Sequence, residues 1–176
     1  MQYPEKLWFS ENYLVRLFTL LEALGGGDEI DKIKAAIEAG DDPLEDLQVE
    51  YTRLFINGAP HVVAPPYASV YMDKTINGKF SEKILEFYQA HGYTMTSHGD
   101  LPDNLVHQLE FLSFLAEDQN REVEKKFIKH FFLPWFQIFS ARVKEEAEHP
   151  FYHVIISIID FFTKEEEEYG VQLNEA

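Results

Sequence analysis

Hydrophobic residues recur every three or four positions along most of this chain, the spacing of one face of an α-helix. The first such stretch covers residues 5–24, and three consecutive glycines follow it. Similar stretches follow at residues 28–39, 41–57, 81–92, 101–118, roughly 121–146, where Pro134 predicts a kink or break, and 151–164. The pattern therefore predicts helices up to residue 164.

Two segments interrupt this periodicity. Residues 58–80, "GAPHVVAPPYASVYMDKTINGKF", contain three prolines and two glycines, and residues 93–102, "YTMTSHGDLP", are also irregular. Proline lacks the backbone N–H that a helix interior needs, so both segments are predicted to be ordered loops. The expected fold is all-α, a helical bundle of six to eight helices with two irregular central loops.

The length of 176 residues suits one domain covering residues 1–176. Its predicted parts are N-terminal helices (1–57), central loops and a helix (58–102), C-terminal helices (103–164) and an acidic tail (165–176). No apolar run reaches the length of a membrane span, and the start lacks the pattern of a signal peptide. The chain has no cysteine, which excludes disulfides and thiolate zinc sites. A cytoplasmic protein without a membrane span is expected.

The formal net charge of −16 argues against a nucleic-acid partner, because binding a phosphate backbone requires clustered Lys and Arg. Acidic residues concentrate in residues 28–50 and 145–176. Two interpretations stay open. The acids serve solubility, or they attract a basic peptide.

One stretch, "LPDNLVHQLEFL", places Asp103, His107 and Glu110 on one face of a predicted helix. Three interpretations are possible: an acid/base site, a metal site, or a capped helix with Asp100 as its cap. Elsewhere only Glu146 and His149 have Glu-x-x-His spacing, with Pro150 directly after the histidine. No metal site and no cofactor are expected.

Five short motifs occur in a characteristic order within roughly residues 45–163: "EYTRLFING", "PPYASVY", "DLPDNLVHQLEFLSFL", "FFLPWFQIF" and "EAEHPFYHVIISIIDFF". In order and spacing the chain resembles the TorD/DmsD family of redox-enzyme maturation chaperones. The resemblance implies a cytoplasmic chaperone without enzymatic turnover. It would bind the twin-arginine signal peptide and the apo catalytic subunit of a molybdenum-cofactor oxidoreductase, assist cofactor insertion and delay export.

Two other functions stay open: a general helical protein–protein adaptor, and a small helical metal-dependent enzyme that uses Asp103, His107 and Glu110. The oligomeric state is also open, with a monomer and a domain-swapped dimer both compatible with long helices joined by proline-rich hinges.

The resemblance assigns peptide-binding residues by position. The family motifs fall on Tyr51, Leu54 and Phe55, then on Pro65, Pro66, Tyr67, Ser69 and Tyr71, and finally on Pro102, Asp103, Asn104 and Glu110. Asn104 stands where the family has a histidine, so no titration is expected at that position.

Asp103, with Glu50 or Glu110, is expected to meet the two guanidiniums of the signal, while the aromatic residues line its apolar part. Core packing is the alternative for the aromatic and leucine positions. On the peptide-binding interpretation, Asp103→Ala combined with Tyr51→Ala weakens signal-peptide binding and leaves helicity and melting unchanged.

Overall fold

The computed structural model describes residues 3–6, 11–58, 61–95 and 99–172, with the side chains of all of these except residues 11, 12 and 165–172. The predicted first helix therefore lies partly outside the described residues, because residues 7–10 are not among them. The last four residues of the predicted acidic tail, 173–176, are outside them as well.

The α-helices are α1 (Glu11–Ala23), α2 (Gly27–Ala39), α3 (Pro43–Tyr51), α4 (Ala68–Met72), α5 (Lys79–Ala90), α6 (Leu105–Glu117), α7 (Arg121–Phe127), α8 (Leu133–Glu146) and α9 (Pro150–Gln172). Two π-helical segments accompany them: π1 (Thr52–Ile56) extends α3, and π2 (Ile128–Phe132) joins α7 to α8. Across the described residues this makes eight continuous helices and no strand. The all-α prediction is confirmed.

Local capping explains the start of α3. The Asp42 carboxylate accepts hydrogen bonds from the Leu44 and Glu45 amides at 3.1 Å, and Pro43 occupies the first helical position. Helix α5 begins at Lys79, and Ser81 lies buried inside its first turn.

Helix α4 was missed by the sequence pattern, which predicted an irregular loop over residues 58–80. Its first amides find acceptors far along the chain: the Ala68 N–H donates to the Asp103 carbonyl at 3.1 Å, and the Ser69 N–H donates to the Asp103 carboxylate at 2.7 Å. These long-range bonds stabilise one helical turn that local propensity does not specify.

The helix does not break at Pro134. Proline removes an N–H and crowds the carbonyl four residues earlier, here that of His130. The preceding residues, Ile128–Phe132, widen into π2, and the helix then continues as α8. A second correction concerns α9, which runs to Gln172 instead of ending near residue 164, in keeping with the helix propensity of its four consecutive glutamates.

The described residues group into two compact units. Unit 1 comprises those of Pro65–Ala141 and Ile158–Ala176, and unit 2 comprises those of Gln2–Ala64 and Arg142–Ser157. Unit 1 has an aromatic core of fully buried side chains: Tyr88, Phe111, Phe127, Phe132, Trp135, Phe136 and Phe139. Unit 2 buries Ile33, Leu47, Leu54, Val143, Tyr152 and Ile156. The single-domain organisation of residues 1–176 stays a prediction.

Candidate functional site

Asp103 is the central acceptor of unit 1. Its side chain is fully buried, and its two carboxylate oxygens accept hydrogen bonds from the Ser69 N–H and from the Ser81 hydroxyl, each at 2.7 Å. Both oxygens therefore have partners inside the unit. This geometry makes Asp103 an organiser of the surrounding loops and gives no support to the predicted contact with an arginine of a peptide.

The two motif segments of unit 1 pair with each other around Asp103. Tyr67 and Asn104 form an antiparallel β-bridge, and the Leu105 N–H donates to the Pro66 carbonyl at 2.9 Å. These contacts bring together the Pro-Pro-Tyr-x-Ser-x-Tyr element and the Pro-Asp-Asn element, which the sequence separates by about thirty residues.

The N-cap of α6 is Asn104, not Asp100 as one interpretation of the sequence had it. The Asn104 side-chain oxygen accepts from the Val106 N–H at 2.9 Å, and its amide donates to Asp100 Oδ2 at 2.9 Å. Asparagine can fill both roles at once because it carries an acceptor and a donor. Asp100 is thereby free of the cap and lies beside it.

The carboxylate site, as we name it, consists of Tyr67, Tyr93, Asp100, His107 and Glu110 in unit 1. The side chains of Asp100 and Glu110 are 37% and 40% exposed, whereas the His107 side chain is only 4% exposed. His107 Nδ1 lies 2.9 Å from Glu110 Oε2, and His107 Nε2 lies 3.9 Å from Asp100 Oδ2. Two accessible carboxylates thus flank one buried imidazole.

Two tyrosines orient these carboxylates. The Tyr67 hydroxyl donates to Asp100 Oδ1 at 3.2 Å, and the Tyr93 hydroxyl donates to Glu110 Oε2 at 3.4 Å. Burial, followed by the charge of Asp100, raises the pKa of Tyr67. Burial, together with the charge and hydrogen bond of Glu110, raises the pKa of Tyr93 to about 12. Both phenols therefore stay protonated donors near neutral pH.

The three residues of the predicted acid/base or metal site, Asp103, His107 and Glu110, do not form one cluster. His107 and Glu110 do meet, but Asp103 bonds to Ser69 and Ser81 instead of to either of them. Over the residues with described side chains, no group of three or more His, Asp or Glu is arranged to hold a metal ion.

The other predicted residues of unit 1 vary in exposure. Ser69 and Pro66 are buried, Pro65 and Pro102 are half-buried, and the ring centroid of Tyr71 lies 5.8 Å from that of Trp135. Tyr71 therefore packs against the aromatic core. Peptide binding by these residues stays a prediction.

Tyr51, Leu54 and Phe55 lie in unit 2 and are buried there, 7%, 0% and 5% exposed. The Phe55 ring contacts Tyr51 and Tyr152 with centroids 5.1 and 5.7 Å apart. This is the core packing that the sequence left open as an alternative, and peptide binding by these side chains stays a prediction.

Glu50, a second predicted partner for arginine, is also committed inside unit 2. Its oxygens accept from Arg53 Nε and Nη2 at 2.7 and 3.0 Å and from the Glu148 amide at 2.6 Å. Burial alone would raise the pKa of Glu50, but the hydrogen bonds from Arg53, Glu148 and His149, with the Arg53 charge, hold that pKa below its ordinary value. Glu50 anchors the turn before α9 to α3.

A cleft of about 510 Å³ in unit 2 adjoins this anchor. Its lining combines apolar and charged side chains, namely Ala36, Glu45, Asp46, Val49, Glu50, Arg53, Glu148, His149 and Pro150. Burial lowers the pKa of His149, although the charges of Glu50 and Asp46 oppose that shift. The cleft therefore favours a neutral His149.

The sequence pattern did not indicate Asp100 and Tyr93 as members of this site, and His107 was not among the predicted peptide-binding residues. Asp100 precedes a proline and a helix, a position that predicts a cap, and Tyr93 lies in a loop without periodicity. The His107–Glu110 spacing of three residues was the available signal for this pair. Within the described part of the chain, no helix is both long and apolar enough to cross a bilayer.

Comparison with known proteins identifies the family. Residues 22–141 match the model of the nitrate reductase delta subunit family. Over 110 residues the chain is 31% identical to the chaperone protein TorD of Vibrio cholerae, a match covering 55% of this chain and 50% of TorD. Over 126 residues it is 26% identical to DmsD of Haemophilus influenzae, which is assigned as a Tat proofreading chaperone, covering 70% and 61% of the two chains.

A crystal structure from Archaeoglobus fulgidus, assigned as a redox enzyme maturation protein, matches with a TM-score of 0.59 and 28% identity, covering 96% of this chain and 85% of that one. The chain spans about half the length of the TorD relatives that it matches. The resemblance to the TorD/DmsD proteins is confirmed. By the extent of its family match, this chain belongs to the nitrate reductase delta subunit family, together with the TorD and DmsD chaperones.

Proposed function

We propose that this protein is a redox-enzyme maturation chaperone of the cytoplasm. It binds the twin-arginine signal peptide and the apo catalytic subunit of a molybdenum-cofactor oxidoreductase, assists cofactor insertion and delays export, without enzymatic turnover. The observation that carries this proposal is the pair of accessible carboxylates, Asp100 and Glu110, held in unit 1 beside the family motif.

A pair of carboxylates suits a ligand that carries two guanidiniums. Arginine donates two parallel hydrogen bonds to one carboxylate, and such charge-assisted bonds are stronger than neutral ones. In the carboxylate site each acid already accepts one tyrosine hydroxyl, which fixes its orientation before a ligand arrives. The half-buried rings of Tyr67 and Tyr93 offer faces for cation–π contact beside those acids.

In this proposal Asp103 and Asn104 position the site and do not touch the peptide. Asp103 fixes α4 and α5 against the loop before α6 through Ser69 and Ser81, and Asn104 bonds to Asp100 directly. The family histidine is thus replaced by a residue that still holds Asp100 but carries no charge of its own. Glu110 remains the one originally predicted residue that is an accessible acid.

Calorimetry with a twin-arginine signal peptide from a molybdoenzyme of the native host tests the proposal. The double variant Asp100→Asn, Glu110→Gln is expected to bind at least about tenfold more weakly, because two charge-assisted contacts are lost. Glu82→Gln, an exposed acid on α5 in the same unit, is the matched control and retains wild-type affinity. A peptide with both arginines replaced by lysine should also bind more weakly.

Equal affinity of the double variant and the wild type would contradict this site. A pull-down from the native host, with mass spectrometry, identifies the client. Recovery of a twin-arginine oxidoreductase supports the chaperone proposal, and recovery of unrelated proteins alone indicates an adaptor.

A further inference from the structure

His107 occupies an unusual position within the carboxylate site. Its side chain is 4% exposed, yet each ring nitrogen faces a carboxylate that is more than a third exposed. Histidine is the side chain whose ordinary titration falls near physiological pH. A buried ring that touches two accessible acids can therefore report the pH of the solvent to a binding surface.

The geometry fixes the neutral tautomer. Nδ1 lies 2.9 Å from Glu110 Oε2, and because a carboxylate only accepts, Nδ1 carries the proton. Nε2 of the neutral ring is then a bare lone pair. It is buried and makes no hydrogen bond to any residue that the structure describes, and it lies 3.9 Å from Asp100 Oδ2. A second proton on Nε2 turns this contact between two acceptors into an attraction between opposite charges.

Several titratable groups surround the His107 ring. The carboxylates of Asp100 and Glu110 are the charged groups next to the ring, and the buried carboxylate of Asp103 lies four residues before it in the sequence. The phenols that face the same acids, Tyr67 and Tyr93, stay neutral near pH 7, as does buried Tyr88, whose pKa burial raises well above its usual value.

We propose that His107 is a proton-operated control of the carboxylate site. With His107 neutral, the site presents two uncompensated negative charges to a cationic ligand. With His107 protonated, the imidazolium compensates one of them and draws both carboxylates toward itself. Proton and guanidinium peptide compete for the same two acids, so peptide binding releases a proton. This inference rests on the proposed function, since it assumes the same cationic ligand.

The consequence is an affinity that depends on pH. When ligand and proton exclude each other at one group, the dissociation constant rises as pH falls, by up to about tenfold per pH unit once the proton is bound. We expect weaker binding of a twin-arginine peptide at pH 5.5 than at pH 8, with the change lost in His107→Gln, which cannot titrate. His130→Gln replaces an exposed histidine of π2 in the same unit and keeps the wild-type pH profile.

The experiment measures peptide affinity by calorimetry at four pH values between 5.5 and 8, at constant ionic strength, for the wild type and both variants. Identical pH profiles for the wild type and His107→Gln would overturn the inference. Protons released on binding, measured from the dependence of the binding enthalpy on buffer ionisation, provide an independent readout on the wild type alone. Release of no proton at any of the four pH values also overturns it.

Nitrogen-15 NMR of the imidazole ring separates this inference from the proposed function. In the free wild-type protein the Nε2 resonance should move on acidification, and Asp100→Asn should shift that transition to lower pH because one favourable charge is lost. If no peptide binds at pH 8, the proposed function fails, while this titration still decides whether His107 and Asp100 are coupled. A ring that stays neutral down to pH 5 overturns the inference in either case.

Discussion

At the scale of single residues, the buried Asp103 joins distant segments of unit 1 through the hydrogen bonds that it accepts. Three donors from distant parts of the chain converge on this residue: the Ala68 amide on its carbonyl, and the Ser69 amide and Ser81 hydroxyl on its carboxylate. Deleting the carboxylate would leave the last two donors buried without an acceptor. A buried donor without an acceptor lowers the stability of the folded state, because it has lost its hydrogen bonds to water and gained none in exchange.

We therefore predict that Asp103→Ala lowers the free energy of unfolding by about 3 kcal/mol, measured by urea denaturation. Asp103→Asn, which keeps one acceptor oxygen, should lose less. Asp118→Ala, an exposed acid at the end of α6, is the control and should change stability by less than about 0.5 kcal/mol. If Asp103→Ala is as stable as the wild type, Asp103 does not organise unit 1 as described. A measured loss of stability would contradict the unchanged melting that the sequence alone predicted for a variant carrying Asp103→Ala.

Sequence and structure part at particular residues for physical reasons. The capping role of Asp42 is readable from the sequence because its partners lie two and three residues away. The role of Asp103 was not readable, since its partners lie 34 and 22 residues away. Asp100 and Asn104 both suit a cap, and the residue that caps α6 is Asn104, which also pairs with Tyr67.

At the scale of elements, Gln108 connects α6 to α8. Its amide nitrogen donates to the Asp103 carbonyl at 2.8 Å, and its oxygen accepts from Trp135 Nε1 at 3.1 Å. Gln108 is fully buried, and an ionised acid at this position could not donate to that carbonyl. Both ends of the amide are thus used within unit 1.

Gln108→Leu is expected to lower the free energy of unfolding by about 2 kcal/mol, because the Trp135 indole N–H loses its acceptor in the core. Chemical denaturation measures the loss, and Gln89→Leu on the exposed side of α5 is the control. A Gln108→Leu protein as stable as the wild type would mean that the hydrophobic gain offsets both lost hydrogen bonds.

Glu50 connects α3 to the turn before α9 in unit 2. Its folded-state pKa is held below the ordinary 4.5, so the unfolded state binds protons first as pH falls. The contribution of Glu50 to stability is therefore complete above about pH 5.5 and is lost as pH falls below about 4.5 and through the folded-state pKa.

Glu50→Gln should accordingly cost about 2 kcal/mol at pH 7 and progressively less below pH 4.5, in urea denaturation at a series of pH values. Glu145→Gln removes an exposed acid from α8 and serves as the control, with no such pH-dependent difference. A stability gap that stays constant from pH 7 to pH 3.5 would contradict the ionised, hydrogen-bonded state of Glu50.

Hydrophobic periodicity predicted some of the helices and not others. The longer helices were found because their hydrophobic residues recur with the helical period, whereas α4 and π2 were not. Helix α4 depends on Asp103, and π2 accommodates Pro134, so both arise from constraints outside their own residues. Periodicity reports on burial, and it does not report the backbone adjustments that packing and proline impose.

For the whole molecule, the net charge of −16 bears on how fast a basic ligand is captured. Long-range attraction is screened within about 10 Å at 0.1 M salt, so it affects association more than the bound contacts. We predict that raising the salt concentration from about 50 to 500 mM slows association of a twin-arginine peptide about tenfold and leaves dissociation nearly unchanged.

Stopped-flow fluorescence with a labelled peptide measures both rates. A peptide that carries the apolar part of the signal without the arginines is the control, and its association should not depend on salt. If salt changes only the dissociation rate, the prediction is wrong. The electrostatic attraction would then come from contacts in the bound complex and not from the net charge of the molecule.

The hydrogen bonds that Asp103 makes across 34 and 22 residues also bear on the order of folding. Individual helices close short loops and form early, whereas contacts between distant segments wait until the intervening chain has been arranged. We therefore expect the loop pairing beside the carboxylate site to be among the last features to form. A newly synthesised chain would acquire helicity well before it could hold a signal peptide, so competence to bind would itself mark the completion of folding.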